Sequence, residues 1–232
     1  MTYGEVMNEL ALFAGAGGGI LGGHLLGWKT VCAVEREPYA ASVLMQRQND
    51  GILPTFPIWD DVCTFDGRPW RGLVDVVSGG FPCQAFSTAA AGRNNAPDLW
   101  PEMRRIVADV TPRIVYAENV SAKAINAAGD DLESLGYQTK AVSFSAADVG
   151  ADHERQRYWL LAYTDDAGEL LREQYAKMAK LSDMASGVWS SYAGESRVSN
   201  GVADRMDRIK ATGNGQVAIV AAAAFALMGW QV

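Results

Sequence analysis

The sequence predicts an α/β domain on a mostly parallel sheet with helices on both faces, and three observations carry that prediction. The first is the β-branched run Val74-Asp75-Val76-Val77, closed by Ser78-Gly79-Gly80, which reads as a short buried strand that stops abruptly. The second is a strand at Glu9 to Phe13 that runs into a glycine-rich loop and then a helix. The third is the alternation of apolar strand-like and helical segments that continues as far as Ala162.

At 232 residues, the chain holds one sizeable domain with a small appendage and is too short for two. The three cysteines, Cys32, Cys63 and Cys83, are odd in number and lack CxxC spacing, which predicts neither a disulfide framework nor a zinc site. His24 and His153 lie too far apart to form a metal centre, so no metal is expected. Met1 to Glu5 lacks the basic and apolar regions of a signal peptide, and the alanine-rich run Val217 to Trp230 falls short of the roughly twenty residues of a membrane span. A reducing, cytoplasmic setting without membrane contact is therefore expected. A net charge of −7 excludes a general polyanion binder and leaves local basic clusters, drawn from Arg104, Arg105, Arg155, Arg157, Arg205, Arg208 and Lys210.

Taken in order, the Glu9 to Phe13 strand leads into Ala14-Gly15-Ala16-Gly17-Gly18-Gly19 and a helix from Ile20 to Leu26, so backbone amides can approach a ligand at a helix N-terminus. The glycines lack the Lys-Ser or Lys-Thr of a P-loop and the spacing of the dinucleotide fingerprint. The loop reads either as a ligand cradle or as a tight turn. A second strand, Thr30 to Val34, ends in Glu35, where nucleotide-binding α/β domains place a ribose acceptor. Glu35 suits equally a solvated carboxylate ahead of Pro38, which opens a helix through Gln48. Thr55 to Val62 forms the third strand unit and contains Asp60 and Asp61, fit either to accept from an amino group or to cap a turn. Ala91 to Asn95 is a polar loop, and a helix follows from Leu99 to Val110. The strand Arg113 to Ala117 then delivers Glu118-Asn119-Val120. Lys123 to Leu135 is a helix capped by Gly136, and Tyr137 to Phe144 is a further strand. Arg155-Gln156-Arg157 enters the apolar run Tyr158 to Ala162 with both arginines on one side, a pair suited to a salt-bridging edge or to an anionic or carbonyl-rich ligand. Thr164 to Ser196 turns acidic and Ser- and Gly-rich around a helical patch, Glu169 to Leu181. Gly213-Asn214-Gly215-Gln216 forms a turn before an alanine-rich helix that is apolar nearly all round and therefore packed inside the domain.

Chemistry concentrates where the Val74 to Gly80 strand ends. Pro82 fixes its own φ and holds Phe81 extended, so Cys83 is presented at a strand's carboxyl end, the edge where open parallel sheets bind ligands. A thiol there is either a nucleophile or a small buried apolar side chain. With parallel strands, Glu118 shares that edge.

In order, Phe13-Ala14-Gly15-Ala16-Gly17-Gly18, Glu35, Asp61, Gly80-Phe81-Pro82-Cys83-Gln84, Glu118-Asn119-Val120, Arg155-Gln156-Arg157 and Gly213-Asn214-Gly215 closely resemble the motif series of the DNA cytosine-C5 methyltransferases. Pro82-Cys83-Gln84 followed by Glu118-Asn119-Val120 is the most specific part, and only Thr164 to Ser196 is unmatched after about Leu10. The resemblance implies a Rossmann-like, S-adenosylmethionine-dependent methyltransferase fold with a minimal second lobe. A catalytic and cofactor-binding domain spans 1–163, a reduced target-recognition segment 164–196, and a C-terminal segment returning to the catalytic domain 197–232. Phe13, Gly15, Ala16, Gly17, Gly18, Glu35, Arg36, Asp61, Val62, Gly80, Pro82, Asn214 and Gln216 are implied to bind S-adenosyl-L-methionine, with Glu35 on the ribose hydroxyls and Asp61 on the adenine amino group. Cys83 is implied to attack C6 of a flipped-out cytosine and Glu118 to hold N3 protonated. Arg155 and Arg157 are implied to bind the C2 carbonyl or a neighbouring phosphate, and Phe81, Gln84, Ser87, Asn119 and Val120 to line the substrate. Duplex DNA is the implied partner, a monomer the implied state, and a bacterial or phage-infected cell the implied setting.

The chain departs from the family pattern at Ala11, where an acid usually precedes Leu-Phe, and at His153, where many members have glutamine. Thr164 to Ser196 is much shorter than the usual target-recognition domain, which implies short or relaxed target specificity, or target choice supplied by a protein partner. RNA as substrate, a modified donor read by Arg93 or Lys123, and a catalytically silent nucleic-acid-binding protein are the alternatives. Intact Cys83 and Glu118 speak against the last.

Overall fold

The computed structural model describes residues 6–82, 98–172 and 215–229. In chain order its elements are β1 (Asn8–Leu12), α1 (Gly18–Leu25), β2 (Lys29–Val34), α2 (Pro38–Asn49), β3 (Ile58–Trp59), β4 (Val76–Gly80), α3 (Trp100–Val110), β5 (Ile114–Asn119), α4 (Ala122–Ser134), β6 (Gln138–Phe144), β7 (Arg157–Tyr163) and α5 (Ala218–Gly229). The strands form one seven-stranded sheet in the order β3-β2-β1-β4-β5-β7-β6. The pairings from β3 to β5 are parallel, whereas β7 runs antiparallel to both β5 and β6. The chain winds outward from β1 through β2 to β3, returns to the middle as β4, and winds the other way through β5. That reversal opens a crevice at the carboxyl ends of β1 and β4, the position at which such sheets bind ligands.

Alternation along each strand assigns side chains to two layers. Val115 and Ala117 of β5 face α3 and α4, where they pack with Met103, Ile106, Ile125 and Leu132. Ile114 and Tyr116 face the opposite layer and pack with Val220, Ala221, Phe225 and Met228 of α5. Helices α1 and α2 lie in that second layer too, with Ile20 and Leu44 against Ala11 and Ala33. The alanines of α5 permit this. A Cβ at Gly22 of α1 would meet the Ala218 carbonyl oxygen and the Ala221 Cβ at 2.9 Å each, so only small residues fit the crossing. Tyr116 fastens α5 to the sheet by donating its hydroxyl to the Ala221 carbonyl at 2.6 Å. Helix boundaries follow the local chemistry: Pro38 opens α2, Ser121 caps α4 by accepting from the Ala124 amide at 3.3 Å, and Gly136 follows with φ +91°.

One expectation needs correction. The third strand unit shrinks from Thr55–Val62 to Ile58–Trp59, because it is an edge strand with Pro57 ahead of it and the exposed Asp60 behind. Beyond Thr164, Ala167, Leu170 and Leu171 are buried against the α5 layer. The rest of the helical patch expected to reach Leu181 lies outside the described residues. Among the described residues, no helix is long and apolar enough to cross a membrane.

Glu9 is wholly buried in β1, on the side that faces α1. Its carboxyl accepts from Ser78 Oγ at 2.6 Å and from Thr30 Oγ1 at 2.7 Å. Burial pushes its pKa from 4.5 up to about 7, against the opposing pull of the two hydroxyl donors. Between those values the folded chain keeps a proton that the unfolded chain has released, so stability falls as pH rises through the window. The full span is on the order of 3 kcal/mol. Denaturant titrations at about pH 5 and about pH 8 will show wild-type stability dropping by up to that amount, and Glu9→Gln will remove most of the drop. An equal slope in the variant would assign the proton to another group.

Candidate active site

The crevice is built from three strand ends. At the end of β1, Phe13 takes φ +52°, Gly15 +54° and Gly17 +87°, which turns the chain sharply into α1. Glu35, just past β2, holds the turn from the side: its carboxylate accepts from the Gly15 amide at 2.6 Å and from the Glu37 amide at 2.7 Å. Open space lies over the Gly15 α-carbon. Ala14 and Ala16 complete the half-buried turn. Beyond β3, the Asp61 carboxylate accepts from the Cys63 amide at 2.9 Å, and this bond, helped by the nearby positive charge of Arg36, holds its pKa below the usual range. Glu35, Arg36 and Asp61 thus gather at the β2 and β3 ends of the crevice. Val62 does not join them: its side chain is buried in the core, and its carbonyl accepts from Arg105 Nη2 at 3.0 Å.

At the end of β5 sits Glu118, whose side chain is only 9% exposed. By strand alternation it points to the α5 layer, like Ile114 and Tyr116. Arg157, at the start of antiparallel β7, lies on the same side and places Nε 3.0 Å from Glu118 Oε1. Arg155 takes φ +37°, a backbone conformation rare for an L side chain, and donates through Nη2 to the Gly215 carbonyl. Burial raises the Glu118 pKa, while Arg157, Arg155 and a hydrogen bond from the Gln216 side chain oppose the rise. A Cβ at Gly80 would lie 2.7 Å from Glu118 Oε2, so the glycine lets the carboxyl group come close to β4 without shifting. Parallel pairing sets Gly80 directly beside Glu118. The loop that Pro82 opens therefore starts at the same edge as the carboxyl group.

The neighbouring Asn119 faces the other layer. Its amide donates to the Phe81 carbonyl at 2.8 Å, and its side-chain oxygen accepts from the Ser121 amide at 2.9 Å. Asn119 and Phe81 were expected to line the substrate; their side chains instead lie inward, with Phe81 against Trp100 at a ring separation of 5.0 Å. The pair joins the β4 and β5 exits. Val120 is exposed at the rim. Of the expected basic clusters, Arg105 is spent on Glu102, Asp109 and the Phe65 and Val62 carbonyls, and Arg104 lies 3.7 Å from Asp131. Cys83, Gln84, Ser87, Arg93, Asn214, Arg205, Arg208 and Lys210 lie outside the described residues. The turn before α5, expected to serve the cofactor, also brings the Gln216 side chain to Glu118, a contact that no local sequence signal marks.

The family model of C-5 cytosine-specific DNA methylases matches residues 7–218. The chain belongs to the C-5 cytosine-specific DNA methylase family. Among curated relatives, it is 36% identical over 138 residues to the type II methyltransferase M.Eco47II of Escherichia coli, covering 56% of this chain and 31% of that protein. It is 31% identical over 168 residues to the type II methyltransferase M.NgoMIV of Neisseria gonorrhoeae, covering 68% of this chain and 52% of that protein. The chain thus spans about a third to a half of the length of these relatives. Among solved structures, a mutant of Spodoptera frugiperda DNMT2 superposes with a TM-score of 0.56 at 20% identity, over 68% of this chain and 50% of the other. The Dnmt2 methyltransferase of S. pombe gives 0.53 at 19% identity, over 71% and 53%. These likenesses establish the Rossmann-like methyltransferase fold.

Replacing Asn119 tests the clamp between strand ends. Asn119→Ala strands the Phe81 carbonyl and the Ser121 amide in a buried setting and will lower the free energy of unfolding by about 1–3 kcal/mol. Equilibrium denaturation with unchanged m-value measures this, and a loss within the error of the fit would show that the clamp is dispensable.

Proposed function

We propose that this chain is a DNA cytosine-C5 methyltransferase that moves a methyl group from S-adenosyl-L-methionine to C5 of a flipped-out cytosine. The observation that carries this reading is a buried carboxyl group, Glu118, paired with Arg157 and packed against Gly80, three residues ahead of Cys83 in sequence. The donor site fits a nucleoside with vicinal hydroxyls. The Gly15 α-carbon faces open space that a side chain would fill, the part-exposed Glu35 carboxylate stands beside it, and the ionised Asp61 lies at the next strand end. On this reading Phe13, Ala16, Gly17, Gly18 and Arg36 frame the donor, Glu35 takes its ribose hydroxyls and Asp61 its amino group. Bound there, S-adenosylmethionine supplies an electrophilic methyl on a sulfonium.

The chain's own residues make cytosine reactive enough to take that methyl. C5 of the ring is a poor nucleophile until the Cys83 thiolate forms a bond to C6 and pushes electron density toward N3. Glu118 offsets that charge by giving N3 a proton, which requires the carboxyl to be protonated when the base arrives. Burial favours that state. Arg157, free of a full negative partner once Glu118 is neutral, turns its guanidinium to the C2 carbonyl. Once C5 carries the methyl, a water molecule takes the C5 proton, and the electron pair of that C–H bond forms the ring double bond as the Cys83–C6 bond breaks. The N3 proton returns to Glu118, and thiolate and carboxyl are regenerated. None of this chemistry reaches a base inside the stack, hence the flip.

A pool of random-sequence duplexes containing 5-fluorocytosine, mixed with cofactor, will trap a covalent adduct, because fluorine at C5 blocks the final elimination. Wild-type protein will give the adduct on denaturing gels, and Cys83→Ser will abolish it. Glu118→Gln will slow its formation by about 100-fold or more. An adduct that survives Cys83→Ser, or none from wild type on any duplex, would overturn the assignment.

A further inference from the structure

The segment ahead of α5 reaches across the crevice. The Gln216 backbone carbonyl lies against the Gly18 α-carbon and its side-chain oxygen against Gly19, both in the first turn of α1. Its side-chain nitrogen lies on the other side, 3.0 Å from the place a Gly80 Cβ would occupy, with Glu118 Oε2 2.7 Å from the same point. Gly215, Gln216 and Val217 line one cavity with Glu118, Arg155, Arg157 and Trp159. A single residue thus reaches both the first turn of α1 and the carboxyl group of β5. Close approach of its backbone at Gly18 and of its side chain at Gly19 and Gly80 leaves the side chain little room to turn elsewhere.

We infer that Gln216 is a positioning residue for Glu118, holding the carboxyl group in one orientation through its side-chain amide and tying that orientation to the glycine turn. The inference rests on the proposed methyltransferase reading only for its catalytic consequence; the contact itself does not. Arg157 engages Oε1 while Gln216 approaches beside Oε2, so the carboxyl plane is held from both oxygens. Among the described residues, the charged and titratable groups facing Glu118 are Arg157 and Arg155 at the start of β7 and Tyr116 on its own strand. The glycine turn and α1 present none to it. Gln216 is therefore the neutral donor in a set otherwise made of charges. An amide that donates to the carboxylate favours the ionised form, and its loss raises the pKa of the acid.

Carbon-13 NMR of the full-length chain labelled at glutamate carboxyls, with Glu118→Gln to assign the signal, reads this without substrate. Gln216→Met, close in size, will raise the Glu118 midpoint by about one unit, a tenfold change in proton affinity. Gln216→Glu places a like charge at the same spot and will raise it further than Met does. In the adduct assay, Gln216→Met will slow trapping about tenfold because the carboxyl group loses its fixed orientation, even though the raised midpoint favours the protonated form, and will leave the cofactor dissociation constant within about threefold of wild type. An unchanged midpoint in both variants would overturn the inference, as would a Gln216→Glu shift no larger than that of Gln216→Met. Loss of cofactor affinity alone would likewise overturn it, by making Gln216 a donor ligand only. Failure of the methyltransferase reading is distinguishable, since it removes the wild-type adduct and leaves the NMR shifts in place.

Discussion

The desolvation of one carboxyl group at the end of β5 is the constraint around which the crevice is arranged. A buried charge without partners costs several kcal/mol, so Glu118 needs either a proton or a cage of donors. The fold supplies the cage from three separate segments. Arg157 comes from β7, which runs antiparallel to β5 and therefore brings its first residue to β5's last turn of chain. Gln216 comes from the turn before α5. Gly80 on β4 contributes by being small, since any side chain there would displace the carboxyl group or the amide. Inserting one antiparallel strand into an otherwise parallel sheet is what delivers an arginine to a carboxyl-terminal edge.

The same strand end serves two layers. Glu118 points into the α5 side and Asn119, one residue on, into the α3 and α4 side, where it fixes the Phe81 carbonyl. Alternation makes this pairing unavoidable: whatever places the acid in the crevice places the amide behind the β4 exit. Fixing the β4 exit and presenting the acid are thus a single structural event. The aromatic contact of Phe81 with Trp100 adds a second anchor to that exit from α3.

Much of this was legible from residues. The glycine pair after Val77, the glycine turn after Phe13 and the acid after Val34 marked three strand ends, and all three sit at one edge of the sheet. The apolar, alanine-rich segment near the C-terminus read correctly as a buried helix, because no polar stripe was left for solvent. Side-chain direction was less visible. Phe81 and Asn119 carry motif positions flanking Cys83 and Glu118, yet their side chains serve packing and backbone satisfaction, and only the parity along β5 would have said so. Arg105 looked like part of a basic cluster in one dimension; folding surrounds it with Glu102, Asp109 and two carbonyls. Gln216 could not be placed against Glu118 from sequence, since the contact joins positions separated by nearly the whole second half of the chain.

Two buried glutamates show why a perturbed acid does not by itself mark a site. Desolvation is the leading cause of the raised pKa at both Glu9 and Glu118. Their partners differ. Glu9 is met by two hydroxyls, Ser78 and Thr30, which can donate to a carboxylate or accept from a carboxylic acid, so its surroundings tolerate the neutral form without rearrangement. It lies in the first half of β1 beneath α1, in a cavity it shares with Ser78, Gly79 and Gln216. Glu118 is met by guanidinium and amide groups that can only donate through their nitrogens, so each protonation of the acid leaves a donor in search of an acceptor. On the proposed reading, a carbonyl-bearing ring at that edge would supply one. Burial makes both acids reluctant to ionise, but only the second is surrounded by donors whose needs change when it does, and that difference is what the proposed function draws on.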